Sequence, residues 1–181
     1  MKGLLVVDVQ NDFCPGGALA VLEGDRVVPV INALMKRFPV VVASKDWHPQ
    51  GSEHFTIWPI HCVQGSLGAQ FHPDLHTDRI ELVLLKGVGV KEDGYTAFEA
   101  SNVNLEQYLK GRDVDELYVV GLATDYCVKQ CALDAARRGF RTFVVTDAIA
   151  AVDVKPGDGD RALEEMVAAG VTPVASKDLR F

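Results

Sequence analysis

Reactive side chains stand where short apolar runs of this chain end. Asp8 follows Leu4–Val7, Asp46 and His48 follow Val40–Ala43, Lys86 follows Leu82–Leu85, and Cys127 comes shortly after Leu117–Val120. A thiol becomes a nucleophile where a neighbouring cation or a helix N-terminus favours the thiolate, settings that take a cysteine from about 8.5 to roughly 3.5–7.5. A carboxylate within reach then accepts and returns the proton. Cys127, Lys86 and Asp8 supply those parts. Singly, each has an ordinary role: an Asp after a strand caps a turn, a Lys is a solvated edge charge, and a Cys at a helix start is a small core residue.

The histidines carry a second kind of chemistry. All five (His48, His54, His61, His72, His76) fall between residues 48 and 76. Asp46-x-His48 projects two ligands from one extended segment, and His54 and His61 can return to it. Imidazoles with one carboxylate suit a divalent transition ion, namely zinc, iron or manganese. Scattered surface histidines are the alternative. His72-Pro73-Asp74 reads as a turn, so His72 and His76 are expected to be structural.

Something must bring these residues together across so much sequence. The apolar runs named above, with Phe143–Val145 and Val171–Ala175, are apolar on both faces, as strands of a parallel sheet covered on both sides should be. Helical spacing appears between most of them. Val27, Val30, Ile31, Leu34 and Met35 share one helix face, as do Val128, Cys131, Ala132, Ala135 and Ala136. That second helix ends in Arg137, Arg138 and Gly139, and two more are expected over 102–110 and 160–169, closed by Gly111 and Gly170. The alternation predicts an α/β fold: a three-layer, Rossmann-like open sheet, mostly parallel, of about six strands with helices on both faces. The carboxyl ends of parallel strands share one edge, and ligands bind in the crevice outside it. Asp8, Asp46, His48, Lys86 and Cys127 are therefore expected to meet there. Residues 46–80 carry no helical period, and a connection this long in a compact domain is expected to be functional.

Composition narrows the classes. The 181 residues form one expected domain, 1–181, with 48% hydrophobic and 24% charged residues, a globular rather than a disordered balance. A net charge of −7 argues against nucleic acid or an anionic membrane as partner. The first apolar run is too short for a signal-peptide core, and no run approaches the roughly 20 residues of a membrane span. A cytoplasmic location is expected, with Cys14, Cys62, Cys127 and Cys131 as thiols. Their spacing makes no CxxC pair. There is no phosphate-binding P-loop and no G-x-S-x-G elbow.

Several strings resemble one family: Val7-Asp8-Val9-Gln10-Asn11-Asp12-Phe13, Lys45-Asp46-Trp47-His48-Pro49, Trp58-Pro59-Ile60-His61-Cys62-Val63, Tyr95-Thr96-Ala97-Phe98-Glu99, and 121–128, Gly-Leu-Ala-Thr-Asp-Tyr-Cys-Val. They are similar to nicotinamidases, often active on pyrazinamide too, within the isochorismatase-like cysteine hydrolases. The resemblance runs from Gly3 to about Val174. It implies a triad of Asp8, Lys86 and Cys127, an oxyanion hole of the Ala123 and Cys127 N–H groups, and a non-proline cis peptide at Leu122-Ala123. It implies Asp46, His48 and His61 as metal ligands. One common family pattern has His and Ser where this chain has Ser52 and His54. A second group carries His at the latter place as a fourth ligand, which gives His54 that role. Phe13, Trp58 and Tyr95 match positions lining the family's pyridine pocket. The implied reaction converts nicotinamide and water to nicotinate and ammonia through a thioester, in a monomer or small homo-oligomer with a small-molecule substrate. The alternatives are another amidohydrolase of the same superfamily, and a non-catalytic metal or thiol sensor.

Overall fold

The computed structural model describes residues 1–89 and 93–180. Six strands form one sheet: β1 (Lys2–Val7), β2 (Val40–Asp46), β3 (Leu82–Lys86), β4 (Glu116–Leu122), β5 (Arg141–Ala150) and β6 (Thr172–Val174). Their order is β3-β2-β1-β4-β5-β6, and every pairing is parallel. The sheet is thus wholly rather than mostly parallel. Strand order reverses between β1 and β4, the topological switch point at which such sheets open a crevice.

The side-chain period of two divides the core. Leu4 and Val6 of β1 face one cluster with Val28, Ile31 and Met35 of α1 (Val27–Met35). Leu5 and Val7 face the other, with Leu105 and Leu109 of α2 (Leu105–Gly111), Cys131 and Ala135 of α3 (Lys129–Arg137), and Met166 of α4 (Asp158–Ala168). Helices therefore cover both faces. Because β1 is buried on both sides, its sequence is a continuous apolar run.

Three details depart from the sequence reading. The strand expected over Phe143–Val145 spans Arg141–Ala150: past the polar pair Thr146-Asp147 the chain resumes pairing with β4, Gly121 against Ile149 and Leu122 against Ala150. Asp147 Oδ1 accepts the Ser176 N–H there, so the polar interruption is satisfied sideways. Gly111 ends α2, but the left-handed turn beyond it falls on Asp113 (φ 56°). Cys127 also precedes α3 rather than opening it. Residues Thr124–Val128 form a wider turn in which the Val128 N–H reaches back five residues to the Ala123 carbonyl.

The 46–80 connection contains single helical turns at Glu53–Thr56 and Thr77–Arg79, a bridge pairing His48 with Val63, and a second pairing Phe71 with Gln10. Among the described residues, no helix is long and apolar enough to cross a membrane.

Candidate active site

Four adjacent strand ends carry the reactive groups, in the order β3, β2, β1, β4. Lys86 is the last residue of β3 and Asp46 the last of β2. Asp8 follows β1 with a left-handed backbone (φ 48°), and its carboxylate accepts a 2.7 Å hydrogen bond from Ser44 Oγ. Cys127 lies in the wide turn beyond β4, after a cis peptide between Leu122 and Ala123. Lys86 is completely buried, and its ammonium joins the set. It lies 2.7 Å from Asp8 Oδ2 and 3.4 Å from Cys127 Sγ, and it donates to Asp46 Oδ1 and to the Gly94 carbonyl. The three residues expected as a triad are in contact.

Electrostatics correct one expectation. Burial pushes the Cys127 thiol well above its ordinary value; Lys86 opposes this, while Asp8 and Asp46 reinforce it. Asp8 and Asp46 thus set negative charge beside the sulfur against the single ammonium of Lys86, which disfavours the thiolate. Burial likewise raises Asp8, to about 6, against the pull of Lys86. For Asp46, burial acts upward but is outweighed by Lys86 and the neighbouring imidazoles, which hold its carboxyl below the ordinary range. Burial alone would discharge Lys86; Asp46 and Asp8 keep it an ammonium. An Asp8 carboxylate next to a protonated thiol is a base placed to activate it.

Next to this cluster, His48, His54 and His61 each turn a ring nitrogen into a common space, with the ligand atoms within 4.8 Å of one another. Asp46 Oδ2, the oxygen not engaged by Lys86, lies 3.6 Å from His48 Nε2 and 3.7 Å from His61 Nε2. The residues fit a divalent transition ion. Both ring nitrogens of His48 and Nδ1 of His54 are buried without a hydrogen-bond partner, a costly state unless something coordinates them. His61 Nδ1 lies 2.6 Å from the Pro59 carbonyl, which can only accept, so Nε2 carries the lone pair. Gly87 makes room for this arrangement. It has φ 75°, and a Cβ there would stand 2.5 Å from His48 Cε1.

A cavity opens between the two clusters. Phe13, Trp58, Tyr95, His54, His61 and Cys127 all line it. Trp58 Nε1 donates to the Tyr95 hydroxyl at 3.0 Å, tying two of its aromatic walls together. Ala123 also faces this space. His72 and His76 lie elsewhere: His72 Nδ1 accepts the Asp74 N–H in a turn, and His76 is exposed. Cys131 is a buried thiol accepting the Ala97 N–H.

Sequence reasoning missed four contributors. Leu19, Tyr126 and Val152 line the cavity, and Ser44 holds Asp8. Tyr126 packs edge-on to Trp58 with centroids 5.0 Å apart, and its place beside Cys127 could have flagged it. Leu19 and Val152 sit in short apolar stretches, 18–22 and 148–152, whose residue types give no sign of a pocket.

The isochorismatase domain family matches residues 2–178. A nicotinamidase/pyrazinamidase of Mycobacterium tuberculosis is 43% identical over 189 residues, covering 97% of this chain and 100% of its own. A solved structure from L. infantum in complex with nicotinate superposes with a TM-score of 0.92 at 38% identity, covering 99% of this chain and 95% of that one. A pyrazinamidase of Pyrococcus horikoshii solved in complex with zinc gives 0.86 at 39% identity, covering 96% and 98%.

Proposed function

The chain belongs to the isochorismatase domain family, and we propose that it is a nicotinamidase, hydrolysing nicotinamide to nicotinate and ammonia and accepting pyrazinamide as well. The observation that carries this reading is the contact of a buried thiol, ammonium and carboxylate at one end of an aromatic cavity whose other end is lined by imidazoles. That arrangement suits a flat heteroaromatic ring with a carboxamide: the ring nitrogen toward the histidines, the amide carbon toward Cys127.

In the first half-reaction Asp8 takes the Cys127 proton as sulfur attacks the amide carbon. Lys86 offsets the negative charge that passes from oxygen to sulfur. The N–H groups of Ala123 and Cys127 receive the developing oxyanion; one such donor is typically worth about 3–4 kcal/mol. The carbon–nitrogen bond breaks as Asp8 returns its proton to nitrogen, releasing ammonia and leaving a thioester. In the second half-reaction Asp8 deprotonates water, which attacks the thioester carbon. Sulfur departs and regains its proton from Asp8. Phe13, Trp58 and Tyr95 hold the ring and exclude bulk water.

Asp46, His48, His54 and His61 would hold one divalent transition ion, which when bound supplies a Lewis-acidic anchor for the ring nitrogen. The zinc in the P. horikoshii structure supports an ion of this kind. We take the protein to act as a single cytoplasmic domain, alone or as a small homo-oligomer.

Ammonia release from nicotinamide and pyrazinamide, and pyruvate release from isochorismate, test the reading. Turnover of the first two is expected, with Cys127→Ala losing on the order of 10⁴-fold or more in kcat while its far-UV spectrum stays that of the parent. Isochorismate turnover alone, or full activity in Cys127→Ala, would overturn it.

A further inference from the structure

Directly after Asp8, the chain leaves the sheet, and the side chains of Gln10 and Asp12 bond the backbone of neighbouring segments. The β1–β2 ladder ends at Val7 against Ser44, and the last backbone contact is Asp8 N–H to the Ser44 carbonyl at 3.2 Å. Beyond it, the N–H and C=O of Asp46 point toward β1 with no strand left to meet them, since the two groups of one residue face the same edge. The Gln10 side chain takes the strand's place. Its Oε1 accepts the Asp46 N–H at 2.8 Å, and its Nε2 donates to the Asp46 carbonyl at 2.8 Å. Nε2 donates also to the Ala69 carbonyl at 3.0 Å, tying the histidine-bearing connection to the same point. A carboxamide is the peptide group's isostere, so Gln10 extends the ladder by one rung, and it is completely buried in doing so.

Two residues on, Asp12 repeats the device on the other ligand segment. Its Oδ2 accepts the N–H of Cys62, the residue after His61, at 2.7 Å, and Oδ1 accepts the Ala18 N–H at 3.2 Å. Space for this carboxylate is reserved at Gly68, where a Cβ would fall 2.0 Å from Asp12 Oδ2. Asp8, Gln10 and Asp12 thus stand on one short segment and serve, in turn, the reacting proton, the Asp46 backbone and the His61 segment.

We propose that Gln10 and Asp12 are positioning residues for the metal centre, and that the segment bearing the base Asp8 thereby sets where the ion sits relative to Cys127. The inference rests on the metal-binding reading above, in which Asp46 and His61 are ligands. Neither residue touches ion or substrate. Both act through the backbone of the ligands, and loss of such supporting partners typically weakens metal binding 10–100-fold.

The test is the metal dissociation constant, measured by chelator competition with zinc on purified full-length protein. Gln10→Leu, close in volume but unable to pair, is compared with the parent and with Leu34→Ala, a core truncation in α1 far from the ligands. Expected is a 10–100-fold weaker zinc affinity in Gln10→Leu, and affinity within twofold of the parent in Leu34→Ala even when its melting temperature falls as far or further. Equal affinity in Gln10→Leu and parent overturns the proposal, as does an equal loss in Leu34→Ala. Should Gln10→Leu not be recovered folded, Gln10→Glu, which keeps the acceptor and loses the donor, is read by the same criteria. A parent chain that takes up no zinc sinks the metal-binding reading itself, a different result from a parent and variant that bind alike.

Discussion

In the proposed mechanism Asp8 takes the Cys127 proton, so its own titration would limit the reaction. Burial raises it to about 6 despite Lys86, and only the carboxylate can take the Cys127 proton. The sign follows: kcat/KM on nicotinamide should be level above that pH and fall about tenfold per unit below it. Rates measured from pH 4.5 to 8, with metal content determined at each point, check this. A profile flat down to pH 5 with metal retained would remove Asp8 as the base. At this scale much was legible before the fold was known, because thiol, ammonium and carboxylate each stand where an apolar run stops. The electrostatic setting of Cys127 was not. A Lys beside a Cys suggests a thiolate, but two carboxylates compete for the same ammonium, and only their three-dimensional spacing decides the outcome.

At the scale of elements, the cavity wall depends on a carboxylate that performs no chemistry. Asp125 is buried in the wide turn before α3 and accepts the Val152 and Asp153 N–H groups, each at 2.9 Å. It therefore holds the segment after β5, Val152 included, against the turn bearing Cys127. Asp125→Ala leaves two donors without their charged acceptor, costing about 2–4 kcal/mol and lowering Tm by roughly 5–15 °C. KM should rise with kcat less affected, since the displaced residue is a wall and not a reactant; thermal melts and steady-state kinetics read both. An unchanged KM would separate Asp125 from the pocket. Strand and helix positions were legible from apolar runs and 3.6-residue spacing. The extension of β5 beyond Thr146 was not, because a polar pair normally ends a strand and here Ser176 satisfies it from elsewhere.

The whole molecule is expected to feel the ion. Ligands drawn from the end of β2 and from the long connection are brought together only in the folded chain, so an ion bound there favours that state. At a free concentration one hundred times Kd the added stability is about 2.7 kcal/mol, or roughly 5–11 °C in Tm for a chain of this size. Melts of chelator-stripped protein titrated with zinc should show that rise, and His54→Ala should reduce it. An undiminished rise in His54→Ala would leave a three-residue site of Asp46, His48 and His61.

The five histidines mark the boundary between what each source of information decides. Sequence alone determined the α/β class, placed β1 to β4 and singled out the candidate reactive residues at their ends, because burial on both faces and helical periodicity are local properties written into residue order. It also carried the family likeness, in strings short enough to read directly. Tertiary structure decided what depends on distance: that His54 faces His48 and His61 while His72 and His76 do not, that Lys86 serves two carboxylates at once, and that Gln10 completes the ladder where β1 ends. Residues far apart in sequence interact only after folding has fixed their separation, and coordination and proton transfer both require groups within a few ångströms.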